Sequence, residues 1–484
     1  MRAIFKRRAL TSALLVACVM QANYASALSL VQAYDAALQN DPTYRSAVHD
    51  NEAGQQYKAL GRSSLLPNVA MNYSANKNRA DFTAPNFLGK LSTTHPEYQS
   101  KSGVVQLRQP LLNLDGVARY RQGLAQANYS DAQFSGRAKD LLLRLVGAYS
   151  DAKFAEDQLE LATVQRDAFI EQKRVNERMF QKGEGTKTDM VETQAKLDLA
   201  EAQLLEARDN LTTARNSLAA IVGSEVTGLD ALTDDFRVMP MQPASFEEWK
   251  ALALERNSEI SAQRYAVEAA EQEINKNKAG HAPRVDFIAA YSKGKSETLT
   301  TVNQDSTVRS IGVQVNIPLY SGGAVSASTT QAVAGYEKAK SDLDAKTNQV
   351  LVELRKQYNL VLSSAARIDA LVKSVNSARL LVQATQQSVK GGMRINLDVL
   401  NAQQQLYSAL RDLAQARYGY ILSYLRLRNA AGTLNAEDLH AVAGYFVSDS
   451  SNTATSMNTE PQTKPITAGV TGLFSEAAQK TAAN

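Results

Sequence analysis

FQKGEGTKTDMVETQAKLDLAEAQLLEARDNLTTARNSLAAIVG, Phe180 to Gly223, is written a second time in this chain. The second copy is VKGGMRINLDVLNAQQQLYSALRDLAQARYGYILSYLRLRNAAG, Val389 to Gly432, and the two align without a gap. Gly183 falls on Gly392, Asp189 on Asp398, Gln194 on Gln403, Leu197 on Leu406 and Gly223 on Gly432. Upstream segments repeat in the same order. VVQLRQPLLNLDGV pairs with VQVNIPLYSGGAV, setting Pro110 on Pro318, and SSLLPNVAMNY pairs with AGHAPRVDFIAAY, setting Pro67 on Pro283. A long unit found only twice is a duplicated structural unit, not a solenoid array. The repeats are assigned to 28–241 and 242–447.

Periodicity changes type inside each copy. From Asn113 to Gln181 there is no proline, and Leu141, Leu145, Ala148, Ala152, Ala155 and Leu159 follow helical spacing. The stretch from Gly323 to Lys390 behaves alike. A helix of roughly 68 residues is about 100 Å long and must pack along its length. Glycines at Gly183–Gly185 and Gly391–Gly392 then reverse the chain. A returning helix of roughly 37 residues, about 55 Å, follows each turn. Each copy predicts an antiparallel helical hairpin with unequal arms.

Four other segments alternate with period two. Val69, Met71, Tyr73 and Ala75 interleave with Asn68, Asn72 and Ser74. Val285, Phe287, Ala289 and Tyr291 interleave with Arg284, Asp286 and Ser292, and Ile311, Val313, Val315 and Ile317 with Ser310, Gly312, Gln314 and Asn316. Ser102 to Gln109 alternates less cleanly. Such strands fit a barrel wall between lipid and water, or a half-buried soluble sheet. The polar segments Asn76–Gln99 and Lys295–Ser306 are expected as loops.

MRAIFKRRAL, an apolar core and an A-x-A site at Ala25 and Ala27 form a secretory signal over residues 1–27. LLVAC, ending at Cys18, resembles a lipobox and offers lipidation as the alternative. No later run of about 18 apolar residues exists, so a membrane could be crossed only as a β-barrel. The tail 448–484, rich in Ser, Thr, Asn and Pro, is expected to be disordered.

Composition narrows the function classes. The net charge of +4 over 484 residues does not predict nucleic-acid binding. Cys18 is the single cysteine, and His49, His95, His281 and His440 show no metal-ligand spacing. No catalytic residue, cofactor or metal is implied. GEGTKT lacks the P-loop pattern. Asp189 and Asp398 fall in the first turn of their helices, where a carboxylate opposes the dipole, which accounts for their repetition without any pore.

The chain resembles the TolC family of trimeric outer-membrane ducts, from about Leu28 to Val447. AYDAALQNDP, SLLPNVAMNY, NIPLYSGGAV, both turns and LDVLNAQQQLYSALRDLAQARYGYILSYLRLRNAAGTLNAEDL carry the resemblance. It implies an α+β membrane protein: a homotrimeric 12-stranded barrel, four strands per protomer, continued by a helical periplasmic tunnel. It also implies a periplasmic adaptor at the hairpin tips (Gly183, Gly185, Gly391, Gly392) and an inner-membrane ABC transporter or proton-driven pump. Asp398 matches the family's pore-constriction aspartate, and Asn401 stands where the TolC type has a second one. Arg394 matches the arginine that ties one hairpin to its neighbour, with Thr188 and Asp189 matching its partners. Val389 replaces a tyrosine of that network. The expected function is an exit duct for type I protein secretion. The alternatives are the outer component of a multidrug efflux pump and a soluble periplasmic coiled-coil scaffold.

Overall fold

The computed structural model describes residues 27–233, 235–296 and 304–447. The expectations for Cys18, Ala25 and the tail lie outside these residues.

Two helices, α1 (Leu30–Asn40) and α2 (Pro42–Ser63), lead into β1 (Asn68–Arg79), a hairpin of β2 (Phe82–Pro85) and β3 (Leu91–Thr94), and β4 (Glu97–Leu112). The first helical hairpin is α3 (Leu114–Gln181) and α4 (Lys187–Val222). After β5 (Ala231–Leu232) the order returns: α5 (Phe246–Arg256), α6 (Ser258–Lys278), β6 (Arg284–Ser296), β7 (Gln304–Asn316) and the hairpin α7 (Ala324–Lys390) and α8 (Asn396–Ala430). α9 (Ala436–Ala443) and β8 (Phe446–Val447) close the described chain. No proline lies between Pro110 and Pro240 or between Pro318 and Pro461, so nothing removes a donor from the long arms.

By contacts the chain forms two compact units, each drawing on both repeats. One contains the described residues up to Ser46, Arg137–Asn257 and those from Val350 onward. The other contains Ala47–Gly136 and Ser258–Gln349.

In the first unit the helices meet along heptad seams. α4 buries Thr193, Leu197, Ala200, Leu204, Ala207, Leu211 and Leu218, in alternating steps of four and three until the last. α7 buries Leu354, Val361, Ile368 and Val375, one every seventh residue. This narrow stripe is the signature of coiled-coil packing. Each buried leucine contributes roughly 2 kcal/mol of hydrophobic stabilisation. A broader core gathers Leu30, Leu145, Tyr149, Leu218, Ile421 and Phe446. The Tyr149 hydroxyl donates to the Leu28 carbonyl (2.8 Å) and accepts from the Asp230 N–H (3.0 Å), fastening the flanking segments to α3. β5 pairs with β8 beside it, a two-residue ladder with no sequence signature.

Asp41 sets where α2 starts. Its carboxylate accepts from the Thr43 N–H (2.7 Å) and from Arg144 Nη2 (2.6 Å), and Pro42 fills the first helical position. Burial alone would push this carboxyl up, but the Thr43 N–H and Arg144 outweigh it and hold it below its ordinary value.

In the second unit α2 lies close on α3 through glycine. A Cβ at Gly61 would meet the Arg119 carbonyl oxygen at 2.6 Å, and one at Gly123 would meet the Tyr57 carbonyl oxygen at 2.2 Å. The sheet of this unit runs β1-β4-β6-β7, antiparallel throughout. Register puts Met71, Val105 and Tyr291 in one row and Leu107, Ala289 and Ile311 in another, on a single apolar face. Asn72, Ser74, Ser102, Gln106, Ser310 and Gln314 occupy the other. Both faces are bare: Met71 is 71% exposed, Ile311 80%, and all thirteen positions of β7 are exposed. A half-buried soluble sheet would cover its apolar side, so that alternative falls.

The segment Asn76–Gln99 is not only a loop. β1 and β4 extend into it, and β2 pairs with β3 at its tip. Asn86 makes that turn, its side-chain oxygen accepting from the Leu88 N–H (3.0 Å) and the Lys90 N–H (3.1 Å). On the other side β6 runs to Ser296 and β7 begins at Gln304, so the expected loop there narrows to 297–303, outside the described residues.

Candidate functional site

The repeated glycines do the same backbone task at both hairpin tips. Gly183 has φ 78° and Gly392 φ 72°, a left-handed conformation that ends the long arm. The Glu184 N–H returns to the Met179 carbonyl (2.9 Å) at the first tip, and the Met393 N–H to the Ser388 carbonyl (3.0 Å) at the second. Gly185 is needed for space, since a Cβ there would meet the Phe180 nitrogen at 3.0 Å.

Beyond the glycines the tips differ. α4 starts with a capping box: the Asp189 N–H donates to Thr186 Oγ1 (3.1 Å), and the Thr186 N–H donates to Asp189 Oδ2 (3.2 Å). The Thr186 hydroxyl also donates to that Oδ2 (2.7 Å). Below it, buried Asn176 crosses between the arms, its amide donating to Thr193 Oγ1 (2.7 Å). The capping reading of Asp189 is met, with Thr186 as its partner. T-x-x-D was legible in the sequence; the Asn176–Thr193 bridge was not, because it joins residues from two arms.

At the second tip Ile395 occupies the cap position and makes no side-chain bond. The Asp398 N–H falls back on the Ile395 carbonyl (3.1 Å). Asp398's carboxylate is not a cap, and its ion-pair partner is Arg394 at 4.0 Å, four residues earlier. Both side chains stay open to solvent, Arg394 at 54% and Asp398 at 38%. Asn401, three residues on, is exposed along the same stripe of α8. On the inner side Leu400 is buried with Phe169, Leu197 and Ala200, joining the two hairpins, and Lys196 Nζ donates to Gln404 Oε1 (2.8 Å). Asp398 and Asn401 therefore share an outward face while Leu400 anchors the helix. Thr188 is exposed. Within one chain Arg394 is drawn to its own helix, not to Thr188 or Asp189.

The sequence pattern that defines the outer membrane efflux protein family matches residues 33–224 and 249–433, one stretch per repeat. The chain belongs to that family. The channel is 42% identical over 426 residues to alkaline protease secretion protein AprF of Pseudomonas aeruginosa, covering 88% of each chain. It is 39% identical over 431 residues to proteases secretion protein PrtF of Dickeya chrysanthemi, covering 88% of this chain and 92% of the relative. Its fold matches the crystal structure of the Campylobacter jejuni CmeC outer membrane channel with a TM-score of 0.72 at 16% identity, over 86% of this chain and 89% of that one. The bare four-stranded sheet is thus the protomer's share of an outer-membrane barrel, and the helical hairpins are its periplasmic part. Among the described residues no helix is long and apolar enough to cross a membrane.

Proposed function

We propose that this channel is the outer-membrane exit duct of a type I protein secretion system. It receives cargo from an inner-membrane ABC transporter through a periplasmic adaptor that meets the hairpin tips. The observation that carries this is the similarity to two protease secretion proteins over 88% of the chain. The duct conducts cargo and catalyses no reaction.

Three copies close the barrel. β1 and β7 are the edges of the four-stranded sheet and run in opposite directions, so β7 of one copy continues antiparallel into β1 of the next. An open edge does not persist in lipid, and three copies give twelve strands around an aqueous lumen.

At the tips, Asp398 and Asn401 line the periplasmic constriction. Three aspartates make an anionic ring that favours cations, with Asn401 leaving it three charges short of a doubled ring. Arg394 holds the entrance shut by reaching the first hairpin of a neighbouring copy at Thr188 and Asp189. Its solvent-open guanidinium supports this, as does Asp189, which takes both Thr186 bonds on Oδ2.

A deletion strain tests the assignment. Loss of secreted protein with unchanged drug tolerance is the expected result. Normal secretion with drug hypersensitivity would place the channel in a multidrug efflux pump instead.

A further inference from the structure

The apolar sheet face changes character towards the end that carries the β2–β3 hairpin, opposite the end where α2, α3, α6 and α7 attach. Successive cross-strand rows on this face read Met71, Val105, Tyr291, Arg309, then Tyr73, Gly103, Lys293, Thr307, then Ala75, Lys101, Lys295, Asp305. Lys77 with Gln99 and Arg79 with Glu97 follow. The face thus goes from apolar side chains through two tyrosines to six cations against two carboxylates.

Those cations are unevenly matched. Lys77 and Arg79 share Glu97, at 3.1 and 3.9 Å. Arg309 lies over the Tyr291 ring, 5.8 Å from its centroid. Among the described residues no carboxylate lies within ion-pairing distance of Lys101, Lys293 or Lys295. Lys101 and Lys295 stand directly opposite each other, where Cβ atoms are about 5 Å apart and like charges repel. Lys293 faces Gly103, which offers no side chain and leaves a hollow between Tyr73 and the lysines. On the opposite, lumenal face the same level holds Ser74, Asn76, Ser100, Ser102, Ser292 and Ser306 and no charge. A basic channel mouth would show the reverse distribution.

Depth identifies the counter-charge. Eight residues separate Tyr291 from the level of Ile317, about 26 Å along a strand; at the ~40° tilt of barrel strands that is about 20 Å of height, and the next row, with Lys293, lies at about 25 Å, the edge of the ~25 Å apolar band. The lysines begin in the row of Tyr73, one row beyond Tyr291, at headgroup level, where their stems can lie along the apolar face and present ammonium groups to phosphate. Lys101, Lys293 and Lys295 sit on the central strands β4 and β6, away from both sheet edges. We propose that Lys101, Lys293 and Lys295 form a binding site for the phosphate groups of a phosphorylated glycolipid, of the lipid A type, in the outer leaflet. This rests on the outer-membrane placement of the sheet and is independent of the cargo.

The test uses the full-length channel in phosphatidylcholine nanodiscs, titrated with bisphosphorylated lipid A, with its dephosphorylated form and with inorganic phosphate, and read by native mass spectrometry. Wild-type channel should retain the phosphorylated lipid and not the dephosphorylated one, and inorganic phosphate at the same concentration should not displace it. The triple variant Lys101→Gln, Lys293→Gln, Lys295→Gln should bind about a hundredfold more weakly. Lys77→Gln, which removes a cation already paired, should bind as wild type, and the matching triple Lys→Arg variant should retain binding. Equal binding of both lipid forms, displacement by inorganic phosphate, or wild-type affinity in the triple Gln variant would overturn the site. The comparison of the two lipids on wild-type channel decides even if a variant fails to assemble.

Discussion

At the first hairpin tip Thr186 and Asp189 close on each other; at the second, Ile395 has nothing to offer Asp398. The two turns share one glycine, Gly183 and Gly392, and their aspartate, and they descend from one duplicated unit. The residue in the cap position, Thr186 in one and Ile395 in the other, decides whether that aspartate joins a capping box. In the first copy the aspartate starts a helix, with Oδ2 taking both bonds from Thr186. In the second it is released from that task, with an arginine four residues before it, and both remain in solvent. Duplication thus kept the turn and left one copy of the aspartate outside the cap.

The contrast between a fixed and a free carboxylate is widest when Asp398 is set beside Asp41, which is buried and held by Thr43 and Arg144. Asp41→Asn should cost about 2 kcal/mol at neutral pH, the scale of hydrogen bonds to a charged group. Because the folded carboxyl lies below its ordinary value, this contribution is complete above the ordinary value. It fades as pH falls through that value towards the folded one. The melting difference between wild type and Asp41→Asn should therefore be large at pH 7 and shrink in strong acid. A difference independent of pH would mean that Asp41 acts through packing alone.

Ile395→Thr attacks the comparison directly by restoring the cap. Ile395 is 60% exposed, so no core is lost. The new hydroxyl should recruit Asp398 into a box like that of Thr186 and Asp189. The second tip should gain up to about 1 kcal/mol, seen as slower amide exchange at the start of α8. Cation selectivity in planar bilayers should fall together with it. Slower exchange with unchanged selectivity would separate Asp398 from the pore.

Asn401→Asp should change stability least, by less than about 0.5 kcal/mol, since the position is exposed. Its effect belongs to conduction: a second ring of charge should strengthen block by divalent cations. Identical block in wild type and variant would remove Asn401 from the constriction.

Much of this was legible in the sequence. The arms follow from helical spacing and the absence of proline, and α3 and α7 begin and end within a residue or so of the positions read from them. Three strands were visible in their alternation, while β4, which alternates poorly, needed its neighbours to define it. The β2–β3 hairpin was hidden because its polar composition, Pro85 and Gly89 look like a loop, and Asn86 folds it through side-chain bonds. The β5–β8 ladder and the Asn176–Thr193 bridge depend on residues far apart in sequence or on separate arms, which no local pattern encodes. Arg394 shows a different limit. Its i,i+4 spacing to Asp398 is plain in the sequence, but only geometry shows that the cap beside it is missing.

Single-channel conductance of Arg394→Ser and Thr186→Ala, measured side by side in planar bilayers, tests the division of labour between the tips most directly. Arg394→Ser should raise conductance several-fold, because it removes a latch. Thr186→Ala should leave conductance near wild type while speeding amide exchange at the start of α4 about fivefold, the equivalent of about 1 kcal/mol of capping. Equal conductance changes in the two variants, or none in Arg394→Ser, would contradict the account.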